Sequence, residues 1–301
     1  MLNKTLALTV CLSALGGGTA SADPKFEYGK AEEVAKVKDV EYNASAEAGI
    51  VFTTGNSETI TATGGIKAAR KTGQNKIALD ASLTYAKSGV RVINDNNGNG
   101  MVDDVTEIRT EQTTTAETLA GKLRYDRFLT PHNSLFVAVL GARDIPAGKN
   151  LVLGGQLGYS RQLFKSKTAE AVGEFGYDYS HEDLVSGPSN SIHSARAYVG
   201  YKAEMTAGTT FETNLEALTN LNHEDLATRA DGADFGEDTR VNFKASVSAK
   251  IGKNLSFQTS LEVKYDHRPG PLGIKNLAMG FVPEASKLDT MMKATLIYTI
   301  F

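Results

Sequence analysis

The 301-residue chain sets 32 Lys and Arg against 35 Asp and Glu, a formal net charge of −3 with no basic block, which excludes nucleic acid as an electrostatic partner. Its one cysteine, Cys11, lies among the first residues, so the rest of the chain holds no disulfide framework, thiol nucleophile or cysteine-ligated metal. No later segment is apolar enough for a transmembrane helix.

Residues 1–22 read as an export signal. Lys4 supplies the positive start, Leu6 to Leu15 the apolar run, and Ala20-Ser21-Ala22 the small-x-small cleavage site, so the mature chain is expected to begin at Asp23. A membrane anchor fits less well, because the run falls short of the roughly 20 residues that a bilayer needs. Lipoprotein processing at Cys11 also fits less well, since Val10 stands where a small residue is needed. Residues 23–42 are charged and are expected on the periplasmic side, as a short helix partly plugging the barrel mouth or as a tail.

From residue 43 to 301 the chain alternates apolar and polar residues, which gives each segment one greasy and one polar face. Val241, Phe243, Ala245 and Val247, for example, interleave with Arg240, Asn242, Lys244 and Ser246. Twelve segments follow, near 43–54, 57–70, 76–88, 112–128, 134–144, 151–164, 168–180, 191–205, 209–221, 238–250, 255–266 and 287–301. Most exceed the usual soluble strand of about five or six residues. The connections sort by length. Those at Thr72-Gly73, Pro131-His132-Asn133, Ser166-Lys167, Ala207-Gly208 and Lys253-Asn254 are short, whereas the long ones near 89–111, 181–190, 222–237 and 267–286 all fall at the other end. Tyr125, Tyr159, Tyr201, Phe211, Phe257 and Tyr298 lie near the short-turn ends of the outward faces, and Phe52, Tyr85, Tyr177, Tyr179 and Tyr265 near the opposite ends. Sorted loops and two aromatic girdles predict an all-β, transmembrane, antiparallel up-and-down barrel of twelve strands, with tight turns in the periplasm and long loops outside the cell.

The inward set then follows from the alternation. Glu47, Asp80, Asp126, Glu170, Glu174, Asp178, Glu204, Glu212, Glu216 and Glu262 face Lys67, Lys122, Arg124, Arg196, Lys202, Arg240, Lys244, Lys264 and Lys293. Such balance fits either an ion-pair network filling the interior or a narrow polar channel with both signs on its wall. Glu170, Glu174 and Asp178 share one strand face at spacing four, roughly 13 Å per step, too far apart for an acid/base pair.

Asp95, Asn97, Asn99 and Asp103 fall at positions 1, 3, 5 and 9 of a calcium-type loop, with Gly100 at the sharp turn, Met101 at position 7 and Val102 at the apolar position 8. Position 12 holds Thr106 in place of the bidentate acid, with Glu107 or Asp104 as substitutes. Ca²⁺ is the cofactor this pattern suggests, and a hydrophilic Asn/Gly/Asp turn on a long surface loop is the alternative. His132-Asn133-Ser134 resembles the His-x-Ser arrangement of twelve-stranded outer-membrane phospholipases, but falls in a predicted turn, and His193-Ser194 points its side chains to opposite faces. The apolar loop from Pro269 to Ser286 is expected to fold into the mouth, against neighbouring loops, or against lipid or a partner. Phe301 ends the chain one register away from Met292, Ala294, Leu296, Tyr298 and Ile300, so it only partly matches the tail read by the barrel-assembly machinery.

Several short motifs resemble the domain-of-unknown-function family 481, also called salt-induced outer membrane proteins. They are Gly49 with Gly55-Asn56, Tyr125-Asp126-Arg127-Phe128, Arg143-Asp144, Gly158-Tyr159, Gly176-Tyr177-Asp178 and Tyr265-Asp266, spread over nearly the whole mature chain. The resemblance implies an outer-membrane barrel and no particular chemistry. The expectation is therefore a non-enzymatic barrel of the Gram-negative outer membrane, a narrow channel or structural protein in contact with outer-membrane lipids. An outer-membrane hydrolase and a surface receptor or adhesin are the alternatives.

Overall fold

The structure, a computed structural model, describes residues 41–53, 59–93, 108–145, 148–185, 189–226, 229–269 and 286–300. The export signal, most of the expected N-terminal segment, the asparagine-rich loop with Asp95, Asn97, Asn99, Met101 and Asp103, and residues 270–285 of the apolar loop lie outside the described residues.

The fold is all β. The elements are β1 (Glu41–Thr53), β2 (Thr59–Thr72), β3 (Asn75–Ile93), β4 (Ile108–Thr130), β5 (Asn133–Asp144), β6 (Lys149–Lys165), β7 (Ala169–Leu184), β8 (Asn190–Thr206), β9 (Thr209–Asn220), β10 (Glu224–Leu226), β11 (Arg229–Ala233), β12 (Thr239–Lys250), β13 (Leu255–Asp266) and β14 (Leu288–Thr299). Twelve of them close into one barrel, while β10 and β11 pair only with each other. Each barrel strand runs antiparallel to its sequence neighbour, β9 pairs with β12 past the small hairpin, and β1 closes on β14 through Ser45↔Thr299 to Ala48↔Leu296. Closure pairs the two outer strands of the twelve-stranded sheet, β1 and β14, with each other.

The five connections expected to be tight are tight: each joins paired strands over a few residues, as at Thr72↔Asn75 and Thr206↔Thr209. Gly73 and Gly208 occupy the left-handed region there, at φ 54° and 87°, a conformation that costs other residues energy. At the opposite end the structure corrects three boundaries. β3 and β4 continue beyond 88 and begin before 112, pairing out to Ile93↔Ile108 past a register shift at Ala86/Lys87. The expected long connection at 181–190 shrinks to 185–189, because β7 and β8 pair out to Glu182↔Asn190. The 222–237 connection contains β10 and β11. Two-faced alternation marks strands only where one face is wet and the other greasy; beyond the apolar belt both faces meet water and the signal vanishes.

The barrel is inside-out relative to a water-soluble protein. Large apolar side chains, among them Ile50, Ile66, Leu119, Val139, Leu157 and Phe175, are exposed on the outer face, at up to 67% for Phe175. Arg196, Arg124, Glu174 and Glu216 are buried within. Girdle tyrosines are tied to turn residues: Tyr125 donates to Asn75 Oδ1 (2.7 Å), and Tyr159 donates to Asn133. The interior is not wholly polar. Phe128, Phe136, Val172 and Tyr198 are also buried there, on strand faces that the alternation assigned to polar residues.

Candidate functional site

The lumen is the site, and its wall has two unlike halves. The dry part is built from the central stretches of β4 to β9. Arg124 on β4 donates through Nη2 to Asp126 Oδ1 (2.6 Å) and to Glu174 Oε1 on β7 (2.8 Å). Strands β5 and β6 lie between β4 and β7, so the second bond spans a chord of the barrel rather than a neighbouring pair. The other oxygen of Glu174 accepts from Arg196 Nη1 on β8 (2.8 Å). Arg196 Nε in turn donates to Glu216 Oε1 on β9 (2.5 Å), and Asn242 on β12 completes Glu216 at Oε2 (3.1 Å).

These ion pairs exclude water. The side chains of Arg124, Glu174, Arg196 and Glu216 are 2%, 0%, 1% and 4% exposed. The Phe136 ring lies 4.1 Å from the Arg124 guanidinium, and the Tyr198 ring 5.3 Å from that of Arg196. Flat cations against aromatic faces help to compensate lost hydration. Beside this ladder a second chain runs from Lys122 Nζ to Gln156 Oε1 (2.7 Å) and from Gln156 Nε2 to Asp178 Oδ1 (2.7 Å). Buried charges need such pairing, because one uncompensated ion costs several kcal/mol, on the order of 3–5 in measured cases.

Nearer the loop end a third cluster forms. Lys149 Nζ meets Glu182 Oε1 at 2.7 Å, and Arg240 on β12 holds Asp238 (2.8 Å) and reaches Glu182 on β7 (3.4 Å). This is a second crossing of the lumen, since Arg240 and Glu182 lie on strands that do not pair.

The wet part takes in β2, β3, β12, β13 and β14 together with the turn-end stretches of β7 to β9. Lys202–Glu212 (3.2 Å), Lys244–Glu262 (3.3 Å), Lys293–Glu262 (3.2 Å) and Lys67–Asp80 (3.9 Å) are looser pairs, and their lysine side chains are 23–32% exposed. A pocket open to solvent lies here between Lys67, Lys202, Glu212, Lys244, Val172 and Tyr198, with Glu170 and Gln258 also on its wall. Glu47 on β1 folds its carboxylate over Gly65, occupying the space a Cβ would take. Lys264 lies opposite Asp289 in register and is half-buried.

The inward set therefore divides. Lys122, Arg124, Asp126, Glu174, Asp178, Arg196 and Glu216 come together in the dry half. Lys202, Glu212, Lys244, Glu262 and Asp80 line the wet half as pairs, and Arg240 anchors the loop-end cluster. Sequence reasoning missed Gln156, Glu182, Asp238 and the two rings. Glu182 was within reach, as it continues the spacing of Glu174 and Asp178 on the same face; Gln156 and Phe136 carry no charge signal.

No catalytic pair forms at His132 and Ser134. His132 Nδ1 bonds to Gln162 Oε1 (2.9 Å), and the buried Ser134 hydroxyl has no hydrogen-bond partner among the described residues. His193 instead bonds to the Tyr177 hydroxyl on the outer face, and Ser194 is buried inside. Among the described residues no group of three or more His, Cys, Asp or Glu is arranged to hold a metal ion.

A family model described as "Protein of unknown function, DUF481" matches residues 46–300. No curated protein matches the chain. Among solved structures, the chain is similar to the NanC porin, at 9% identity and TM-score 0.43 over 85% of this chain and 98% of that one. It is similar to the translocator domain of the autotransporter NalP from Neisseria meningitidis, at 13% identity and TM-score 0.40 over 86% and 87%. It is also similar to an anion-selective porin from Comamonas acidovorans, at 8% identity and TM-score 0.36 over 87% and 99%.

Proposed function

Because the chain belongs to the DUF481 family, whose description gives no function, we propose a function from the barrel itself: a narrow polar channel of the outer membrane that passes small hydrophilic solutes along one side of its lumen. The observation that carries this reading is the division of the wall. Side chains of the ladder are 0–4% exposed, whereas Lys67, Lys202, Lys244 and Lys293 are 23–32% exposed and the first three border an open cavity. A barrel needed only as a structural plug has no use for that solvated strip.

The location rests on the outer face. Exposed Leu, Ile, Val and Phe recur along the outer faces of the barrel strands, an arrangement that marks a surface not turned to water. Tyrosines mark both ends of that belt. The tight-turn end then faces the periplasm and the loop end the exterior. Lys244 and Lys293 share the single carboxylate of Glu262, so positive charge is in excess at that one carboxylate. Planar-bilayer recording of the refolded chain tests the proposal. Discrete conductance steps smaller than those of an open sixteen-stranded pore are expected, and Lys244→Glu shifts the reversal potential towards cations. A membrane-inserted barrel without conductance steps would reject it.

One observation favours a second reading, a lipid-facing hydrolase. His181 Nδ1 lies 2.9 Å from Ser191 Oγ on the outer face, with the Tyr179 hydroxyl 3.5 Å from the same serine. A base–nucleophile pair needs a third group to orient the base, and His181 has none among the described residues. Ester hydrolysis lost on Ser191→Ala would establish this reading; no turnover above buffer dismisses it. The loop from Asp95 to Asp103 is proposed as a Ca²⁺ site on its oxygen spacing alone. Calorimetry should give binding heat with the full chain and none with Asp95→Ala; absence of heat in the former ends the idea.

A further inference from the structure

The β10–β11 hairpin stands outside the barrel sheet, yet it is tied to the rim. Asn220, at the end of β9, donates through Nδ2 to the carbonyls of Asn222 (2.9 Å) and Asp234 (2.8 Å) and accepts from the Asp238 N–H (2.9 Å). Asn222 accepts from the His193 N–H (2.8 Å) and donates to the Ser191 carbonyl (2.9 Å), both on β8. Gly232, at φ 62°, lets β11 cross so near β10 that a Cβ would fall 2.3 Å from the Glu224 carbonyl oxygen. Ala233, paired with Glu224, is completely buried.

Glu224 points into the mouth. It is 1% exposed, accepts at Oε2 from Asn190 (3.3 Å) and meets Arg240 Nη2 at 3.5 Å. Among the described residues its Oε1 is buried with no hydrogen-bond partner. Arg240 is already engaged by Asp238 and Glu182, and Lys149 by Glu182. Asp266 adds a further negative group from β13. Arg268 directs its guanidinium to Glu237. Among the described residues, the carboxylates of Glu182, Glu224, Asp238 and Asp266 thus exceed the cations Arg240 and Lys149, and Glu224 has an orphaned oxygen. On the exposed side of the hairpin, His223 holds Asp234 (2.8 Å) and reaches Asp225 (3.5 Å).

We propose that β10–β11 is a pH-responsive lid, docked in the loop-end mouth while Glu224 is protonated and released when that proton is lost. Protonation relieves the charge excess and leaves Arg240 with two partners. Loss of the proton places a third carboxylate beside Arg240 with one oxygen buried and unmatched, a cost that undocking removes. The electrostatics agree in direction. Burial raises the Glu224 carboxyl to about 7, Arg240 opposes this, and Asp238, Glu182 and Asp266 push it further up. A carboxyl raised in the docked state binds more protons there. Docking is therefore strongest below the ordinary carboxylate range and weakens as pH climbs from about 4.5 to about 7. His223 acts with the same sign, since its bond to Asp234 raises its pKa and is lost as pH rises through it.

The test uses the full chain, Cys11→Ser, refolded in vesicles and carrying Ala233→Cys in the buried position or Phe235→Cys as an exposed reference. Labelling by a membrane-impermeant maleimide is read as the ratio of the two rates, which cancels the pH dependence of the thiol. Between pH 5.5 and 8 the ratio is expected to rise about 30-fold, and adding Glu224→Gln should hold it low at both values. Equal protection of Ala233→Cys at both pH values, or a step that survives Glu224→Gln, would overturn the lid. Hydrogen exchange of residues 224–233 in the unsubstituted chain, corrected for its intrinsic rate, should show the same step. Because neither readout needs current, a barrel that conducts nothing leaves the lid open to this test.

Discussion

Glu174 is the residue on which two buried guanidiniums depend. Each oxygen serves one of them, so Glu174→Ala leaves Arg124 and Arg196 short of a counter-charge inside a dry wall. The expected cost is about 3–5 kcal/mol, read as a lowered urea midpoint of the vesicle-inserted barrel. The exposed pair Lys202–Glu212 has the same chemistry in water, and Lys202→Ala should cost less than about 1 kcal/mol. Equal losses would show that burial does not set the value of these pairs. The inward placement of such residues was legible in the sequence because a strand has only two faces. Their partners were not, because Arg124 finds Glu174 across the lumen, and only the curvature and closure of the sheet decide which chords are short enough to bridge.

At the scale of elements, β6 and β7 approach through two facing glycines, Gly158 and Gly176, which are register partners. A Cβ on Gly176 would fall 2.3 Å from the Leu157 carbonyl oxygen. One on Gly158 would meet the Phe175 carbonyl at 2.6 Å and the Phe136 ring at 2.9 Å. Space for Phe136 is space for the ring under Arg124, so the pair supports the ladder from behind. Gly176→Ala is expected to cost about 1–3 kcal/mol through forced backbone shifts, whereas Gly121→Ala, with only one atom near its Cβ at 3.9 Å, should be tolerated. Matched unfolding curves for the three chains check this. The motifs Gly158-Tyr159 and Gly176-Tyr177-Asp178, noticed in the sequence as family features, acquire here a physical reason. Strand positions within the belt were readable from alternation, but β10 and β11 were not: three and five residues are too few to show a period, and the hairpin is held by Asn220 and Asn222 rather than by a greasy face.

For the whole molecule, closure and burial are one fact. A belt of exposed apolar side chains outside and paired charges inside is the arrangement in which lipid, not water, surrounds the sheet. The twelve-strand count was legible because lipid imposes the same alternation on every strand, and the tight turns because each is too short to be anything else. The divided lumen was not legible: composition gave near-equal numbers of both signs, and only the three-dimensional pairing separates the dry ladder from the solvated lysines. That division also sets the expected effect of charge changes on conduction, which should be large at Lys244 and Lys293 and small at Lys122, whose ammonium is spent on Gln156.

Substituted-cysteine block of single-channel current tests the division directly. Gln258 lies on the cavity wall, and Ser160 is fully buried beside the ladder. In the Cys11→Ser chain, a charged thiol reagent should cut the current through Gln258→Cys and leave that through Ser160→Cys unchanged. Block at Ser160→Cys, with none at Gln258→Cys, would contradict a solvated path along β12, β13 and the strands facing them.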